Sequence, residues 1–368
     1  MSGKYKDELG LIVMDNMKEF GENVDKHLMK KRNTNQSFII PKQEIRFSSG
    51  DGKVIIKGST RDKDLYILSD VGNYSKTYKM ANYENHMSPD DHFQDIKRVI
   101  SGTRGHAERL SVIMPLLYES RQHKRHGGES LDCPLALQEL EWLGVKEIVT
   151  FDAHDPRVEN AVTPNTCFDS FYVTNELLKS FIINEDFNPD ELIVISPDTG
   201  AVERAIYNAG YFNADVGMFY KRRDYSRIEN GKNPIVAHDY LGKDLEGMTV
   251  IITDDMISSG GSMLDTAKDV KQRGAKKVII LTSFAMFIEG LYAFDKAYEE
   301  NLFDAVYSTN LTYVDQDIHK RAWYNQVDCS SFMADIIDTL NSGNSTKDLK
   351  NGKQKILTML EKKKKGEL

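Results

Sequence analysis

The chain has 368 residues, 40% of them hydrophobic and 28% charged, with a formal net charge of −8; that length suits about two domains, each able to bury a core. The acidic balance argues against broad affinity for nucleic acid, and no apolar run approaches the roughly 18 residues of a membrane span. Residues 1–8 are polar and unlike a signal or transit peptide. Cys133, Cys167 and Cys329 are odd in number and far apart, which predicts reduced packing residues in a cytoplasmic protein.

Strand and helix alternate along the chain. Residues 11–14 read as a short strand and 19–30 as an amphipathic helix. Residues 43–47 and 54–56 flank Ser48-Ser49-Gly50-Asp51-Gly52, a hairpin or tight loop. A buried strand over 65–68 follows. Phe93, Ile96, Val99 and Ile100 recur at helical spacing, and 110–114 is the next strand. Residues 134–143 form a helix stopped by Gly144, before a strand over 145–151. Strands over 192–195, 216–220, 250–252, 278–281 and 305–307 continue the series. Such βαβ units predict an α/β fold with mostly parallel sheets. The strands exceed one comfortable sheet, so two tandem α/β domains are expected, each a mostly parallel sheet flanked by helices. Residues 1–172 would form the first, rejoined by 328–368, and residues 173–327 the second. The lysine-rich stretch 341–368 reads as a solvated, frayed helix end.

The most informative segment is Val250-Ile251-Ile252-Thr253-Asp254-Asp255-Met256-Ile257-Ser258-Ser259-Gly260-Gly261-Ser262. A β-branched run ends in two acids, and a hydroxyl- and glycine-rich turn opens a helix. The carboxyl end of a parallel strand is where open α/β sheets bind ligands. Gly260 and Gly261 admit close backbone approach to an anion. Ser258, Ser259 and Ser262 add hydroxyls, and the helix start adds N–H groups and a positive dipole end. A bulky residue at Gly261 is expected to block a phosphate and to strain the backbone. Asp254 and Asp255 need a different partner, either vicinal hydroxyls or hydrated Mg²⁺. A sugar phosphate fits both halves.

Other strand ends carry polar clusters. Tyr118-Glu119-Ser120-Arg121-Gln122-His123-Lys124-Arg125-His126 is rich in donors; Arg121 and Gln122 suit a base and its phosphates, and a solvated basic loop is the plain alternative. Asp152-Ala153-His154 offers a metal ligand, a proton-transfer group or a structural histidine. Asp198, in Ser196-Pro197-Asp198-Thr199-Gly200, is an N-cap or a carboxylate for Mg²⁺. Lys221-Arg222-Arg223 is a basic cluster at the root of a polar loop, suited to a transferring phosphoryl group.

The 250–262 segment resembles the phosphoribosyl-diphosphate motif of class I phosphoribosyltransferases. From about residue 12 to 334 the chain resembles the ribose-phosphate diphosphokinases, with six motifs in family order. The resemblance implies two domains of the class I phosphoribosyltransferase type. It also implies transfer of the diphosphoryl group of ATP to the C1 hydroxyl of ribose 5-phosphate. Phe47, Ser49 and Asp51 would contact adenine of ATP bound at a neighbouring subunit's site, with Arg121 and Gln122 also binding ATP. His154 and Asp198 would hold Mg²⁺, and Lys221 and Arg223 would be catalytic. Asp254, Asp255, Ser258, Ser259, Gly260, Gly261 and Ser262 would bind ribose 5-phosphate. A homo-oligomer is implied, a hexamer or its dimer building block, with neither nucleic acid nor membrane as partner. Two departures stand out: Ser258-Ser259 replaces the family's usual Asp-Thr, and Asp51 replaces a Glu. The rival readings are a non-catalytic regulatory subunit of such a synthetase and a class I phosphoribosyltransferase.

Overall fold

The structure is a computed structural model describing residues 8–223, 235–350 and 352–367, with the backbone alone for 221–223 and 235–238. The loop expected beyond Arg223 lies outside the described residues. The chain divides into two compact units: Met1–Val173 with Asn310–Asp315 and Asp328–Asn351, and Thr174–Thr309 with Gln316–Val327 and Gly352–Leu368.

The strands of the first unit are β1 (Glu8–Val13), β2 (Lys42–Arg46), β3 (Gly52–Ile56), β4 (Lys63–Leu68), β5 (Thr77–Met80), β6 (Tyr83–His86), β7 (Arg109–Ile113), β8 (Glu147–Phe151) and β9 (Cys167–Phe171). Five of them make a parallel sheet in the order β1-β4-β7-β8-β9. Its inner strands are buried along nearly their whole length, which is why they read as continuous apolar runs. The helix Pro89–Thr103 starts at a Ser88–Asp91 capping box and stops at left-handed Arg104. Its expected face, Phe93, Ile96, Val99 and Ile100, is buried. Gly144, at φ +92, ends the helix Asp132–Trp142 as expected.

Helix Ser330–Asn341 returns to the first unit and packs on helix Lys18–Lys31. Arg32 donates to Asp338 Oδ1 at 2.9 Å and to Asn341 Oδ1 at 2.7 Å. Asn341 donates to Asp64 at 2.8 Å, and Arg109 holds Asp64 by two bonds of 2.7 and 2.6 Å. These buried charges are paired and hydrogen-bonded, the condition under which a core accepts them.

The hairpin β5–β6 was not legible in the sequence. Its two-residue loop is Ala81-Asn82, both at positive φ (47° and 70°), the mirror-image turn that matches strand twist. Ala-Asn lacks the Asn-Gly or Asp-Gly signature by which such loops are read.

The second unit holds β10 (Leu192–Ser196), β11 (Asp215–Arg223), β12 (Ile235–Leu241), β13 (Thr249–Ile257), β14 (Lys277–Ala285), β15 (Ala305–Thr309) and β16 (Tyr324–Val327). Their order is β12-β11-β10-β13-β14-β15-β16, parallel except where edge strand β12 pairs with β11. The α/β class with mostly parallel sheets is therefore observed. One boundary needs correcting. The strand read as 250–252 continues through both acids to Ile257, because pairing with β14 persists from Asp254↔Thr282 to Ile257↔Ala285.

The tail also differs from expectation. Helix Lys353–Lys364 belongs to the second unit, so 352–368 does not rejoin the first with 328–351. It is docked, not frayed. Ile356 and Leu360, one turn apart, are buried; Lys363 donates to the Ile182 carbonyl at 2.7 Å, and Lys364 pairs with Asp190 at 2.7 Å. An apolar stripe this narrow is drowned by the surrounding lysines in a composition reading. Cys133 and Cys329 are buried as expected, but Cys167 is exposed on edge strand β9. Among the described residues, no helix is long and apolar enough to cross a membrane.

Candidate active site

Strands β11, β10 and β13 are neighbours, and their carboxyl ends carry Lys221, Asp198 and Asp254-Asp255 respectively. Ser196 of β10 pairs with Met218 of β11, so the Lys221 backbone lies three residues beyond that pairing. The side chains of Lys221 and Arg223 are outside the described residues. One end of one sheet thus gathers the candidate phosphoryl-transfer, metal and sugar residues of this unit.

Asp198 sits in a tight turn ahead of helix Val202–Phe212. Its Oδ1 accepts from the Gly200 N–H at 2.8 Å and the Ala201 N–H at 3.3 Å, and Ser196 Oγ donates to its carbonyl at 2.5 Å. The turn fixes the carboxylate's orientation through one oxygen. Asp198 is half-buried.

Asp255 is buried and Asp254 half-buried; the Asp255 N–H donates to Asp254 Oδ1 at 2.8 Å. Burial pushes the Asp254 carboxyl well above the usual range, reinforced by the neighbouring carboxylates Asp255 and Asp198. Because its folded pKa is raised, Asp254 contributes stability that is present at low pH and is lost as pH rises through the folded value. Asp254→Asn should therefore raise the melting temperature at pH 8 and leave it near the parent's at pH 4. Differential scanning fluorimetry at the two pH values checks this; equal shifts at both would contradict it. Behind the acids, Asn208 donates to Thr253 Oγ1 at 2.7 Å and accepts from Thr174 Oγ1 at 2.9 Å. Sequence reading missed this buried chain, since its members lie far apart in sequence.

The turn 258–262 opens helix Gly261–Gln272. The strand end is pinned by Met286 N–H to the Ile257 carbonyl (2.9 Å) and by Ile288 N–H to that of Ser258 (3.0 Å). Leu264 N–H reaches the Gly260 carbonyl at 3.0 Å and closes the first turn. The N–H groups before it have no carbonyl partner within the helix.

The two glycines have different reasons to be glycine, and the expectation for Gly261 needs correction. Gly260 is the left-handed residue, at φ +89, and a Cβ there would lie 2.2 Å from Phe294 Cε2. Phe294 is fully buried, its ring stacked on Trp323 at 5.7 Å. A Cβ at Gly261 meets nothing within 4 Å, and its φ is not left-handed. Backbone strain thus belongs to Gly260, while Gly261 borders open space.

In the first unit the analogous ends are those of neighbours β7 and β8. The segment after β7 carries Arg121, exposed, and Gln122, whose amide donates to the Ser130 carbonyl at 2.7 Å and the Lys124 carbonyl at 3.3 Å. Gln122 therefore braces its own loop. The segment after β8 begins with buried, left-handed Asp152 (φ +42), whose Oδ2 accepts from the Val173 N–H at 3.1 Å. His154 follows, exposed, with its ring centroid 5.5 Å from that of His123. Asp155 accepts from Arg157 and faces His123 Nε2 at 3.2 Å. Hydrogen bonding from Arg157 holds the Asp155 carboxyl low, at about 2. Sequence reading did not find this His123–Asp155 pair, whose partners are 32 positions apart.

Phe47, Ser49 and Asp51 form the β2–β3 turn. Gly50, at φ +94, allows it, and Ser49 Oγ donates to Asp51 Oδ2 at 2.8 Å. Phe47 is 46% exposed, with Lys53 Nζ 5.4 Å from its ring centroid. An aromatic face held open on a hairpin is available to a flat ligand or another chain. Among the described residues, no three His, Cys, Asp or Glu side chains are grouped to hold a metal on their own.

Comparison with known proteins places these elements. The N-terminal domain of ribose phosphate pyrophosphokinase matches residues 9–144, and the phosphoribosyl transferase domain matches residues 175–308. A ribose-phosphate pyrophosphokinase of Burkholderia pseudomallei is 28% identical over 236 residues, covering 63% of this chain and 66% of that relative, just short of two thirds. Ribose-phosphate pyrophosphokinase 2 of Schizosaccharomyces pombe is 24% identical over 305 residues, 82% of this chain and 86% of its own length. The fold matches a crystal structure of phosphoribosylpyrophosphate synthetase from Mycobacterium smegmatis with a TM-score of 0.74 and 21% identity, over 92% of this chain and 100% of that one. With both domain types in tandem and in that order, the chain belongs to the ribose-phosphate pyrophosphokinase family.

Proposed function

We propose that the protein is a catalytic ribose-phosphate diphosphokinase, converting ATP and ribose 5-phosphate into AMP and 5-phosphoribosyl 1-diphosphate. The observation that carries this reading is the delivery of Lys221, Asp198 and the Asp254-to-Ser262 segment by three adjacent strands of one sheet. A transferase that consumes phosphoribosyl diphosphate has no need of the N-terminal domain matched over residues 9–144. Retention of Lys221, Arg223, His154 and Asp198 favours catalysis over a purely regulatory subunit.

In this reading the C1 hydroxyl oxygen attacks the β-phosphorus of ATP. The bond to the α–β bridging oxygen breaks, AMP leaves with the electron pair, and the hydroxyl proton is lost. Both reactants are anions, so the barrier is one of alignment and charge. Asp254 and Asp255 hold the ribose hydroxyls. Ser258, Ser259 and Ser262, with the backbone of Gly260 and Gly261, hold the 5-phosphate at the helix start. Lys221 and Arg223 meet the charge that develops on the transferring group. Arg121 and Gln122 bind ATP, with Phe47, Ser49 and Asp51 of a second copy against adenine; the working unit is a homo-oligomer.

His154, in the first unit, and Asp198, in the second, are each taken as a metal contact. An imidazole and a carboxylate with open surroundings suit a cation that stays largely hydrated and takes further oxygens from substrate phosphates, as Mg²⁺ does. When bound, Mg²⁺ would supply charge neutralisation to the phosphates. The three cysteines, odd in number and far apart in the chain, suit a reducing compartment, and we place the enzyme in the cytoplasm. AMP should appear only when ATP, ribose 5-phosphate and Mg²⁺ are all present. AMP release at the same rate without the sugar would defeat the assignment.

A further inference from the structure

We propose that His123 is a positioning residue. With Asp155 it latches the segment carrying Arg121-Gln122 to the segment carrying His154, so that both meet ATP as one preset surface. This rests on the roles proposed above, nucleotide binding for Arg121-Gln122 and metal contact for His154. The geometry lies wholly within the first unit. His123 Nδ1 lies 3.2 Å from the Ser120 carbonyl, and Nε2 lies 3.2 Å from Asp155 Oδ2. Both partners are oxygen acceptors, so whichever ring nitrogen carries a hydrogen has an oxygen to receive it.

The His123 and Asp155 side chains are only 12% and 9% exposed, so their link is shielded from solvent. Asp155 is itself held by the Arg157 N–H at 3.0 Å, Nε at 2.8 Å and Nη2 at 2.5 Å. Val158, one turn on, is buried and anchors that segment to the core. On the other side, Gln122 ties the loop base to Ser130. His123 therefore sits between two braced loops that leave adjacent strands β7 and β8. Its ring lies at a tilt of 55° to that of His154. Cut the link, and each loop keeps its own brace but loses its alignment with the other.

Hydrogen exchange in the ligand-free protein reads the latch directly. His123→Ala should speed exchange over residues 120–131 and 152–158 and leave the second unit unchanged. In steady-state kinetics KM for ATP should rise about tenfold, while KM for ribose 5-phosphate and kcat stay within about twofold. Asp155→Asn should do the same, and the double variant should be no worse than either single one, because both remove one interaction. His123→Gln keeps a donor toward Asp155 and should recover part of the loss; it carries the same comparison if His123→Ala does not fold. Unchanged exchange, an equal rise in both KM values or additive effects in the double variant would overturn the latch. Exchange needs no substrate, so a parent protein that made no AMP would defeat the proposed function and not this proposal.

Discussion

Lys221→Ala should lower kcat by a factor on the order of 10²–10³, with KM for ATP and ribose 5-phosphate nearly unchanged. The expectation rests on where the backbone puts this residue. Lys221 lies near the carboxyl end of β11, beside the strand bearing Asp198 and one strand removed from Asp254 and Asp255. An ammonium that meets charge present only in the transition state contributes about 3 kcal/mol to the rate and little to ground-state binding. Lys221→Arg should rescue poorly, because a planar guanidinium places its charge differently from a compact ammonium. Melting temperatures near the parent's are needed for the comparison to bear on mechanism. A folded Lys221→Ala enzyme with kcat within about threefold of the parent, well under one decade, would remove Lys221 from the chemistry.

The second large effect separates two adjacent glycines. Gly260→Ala should destabilise the second unit by about 2–5 kcal/mol, the sum of a left-handed backbone unsuited to a side chain and overpacking against Phe294. Gly261→Val should keep a melting temperature near the parent's, since its Cβ enters open space, yet raise KM for ribose 5-phosphate at least tenfold by filling the phosphate's approach. ATP binding should stay near normal in Gly261→Val. Paired thermal melts and sugar-dependence curves decide the matter. A destabilised Gly261→Val with normal sugar affinity would show that the turn is purely structural.

Much of the fold was legible because parallel strands buried on both faces are written as unbroken apolar runs. Val250-Ile251-Ile252 and Leu192-Ile193-Val194-Ile195 are examples. Less legible were elements whose stability comes from elsewhere in the chain. Helix Lys353–Lys364 is held by Ile182, Phe187 and Asp190. β5–β6 turns through Ala81-Asn82, whose positive φ values no side-chain type announces. In the site, residue types and order were readable because the chemistry of phosphates and sugars demands them locally. Three-dimensional partners were not. Phe294, which makes Gly260 obligatory, is 34 residues away, and the His123–Asp155 link joins two strand–loop units that the sequence presents separately. The same blindness placed the backbone strain at Gly261 instead of Gly260.

The most direct test of the account follows the β-phosphorus by ³¹P NMR in purified protein supplied with Mg²⁺, ATP and ribose 5-phosphate. The account predicts that resonances of AMP and of a sugar 1-diphosphate grow together in equal amounts, with the ribose 5-phosphate signal declining in step. Release of the β- and γ-phosphates as free inorganic diphosphate, or loss of the γ-phosphate alone to give ADP, would contradict it.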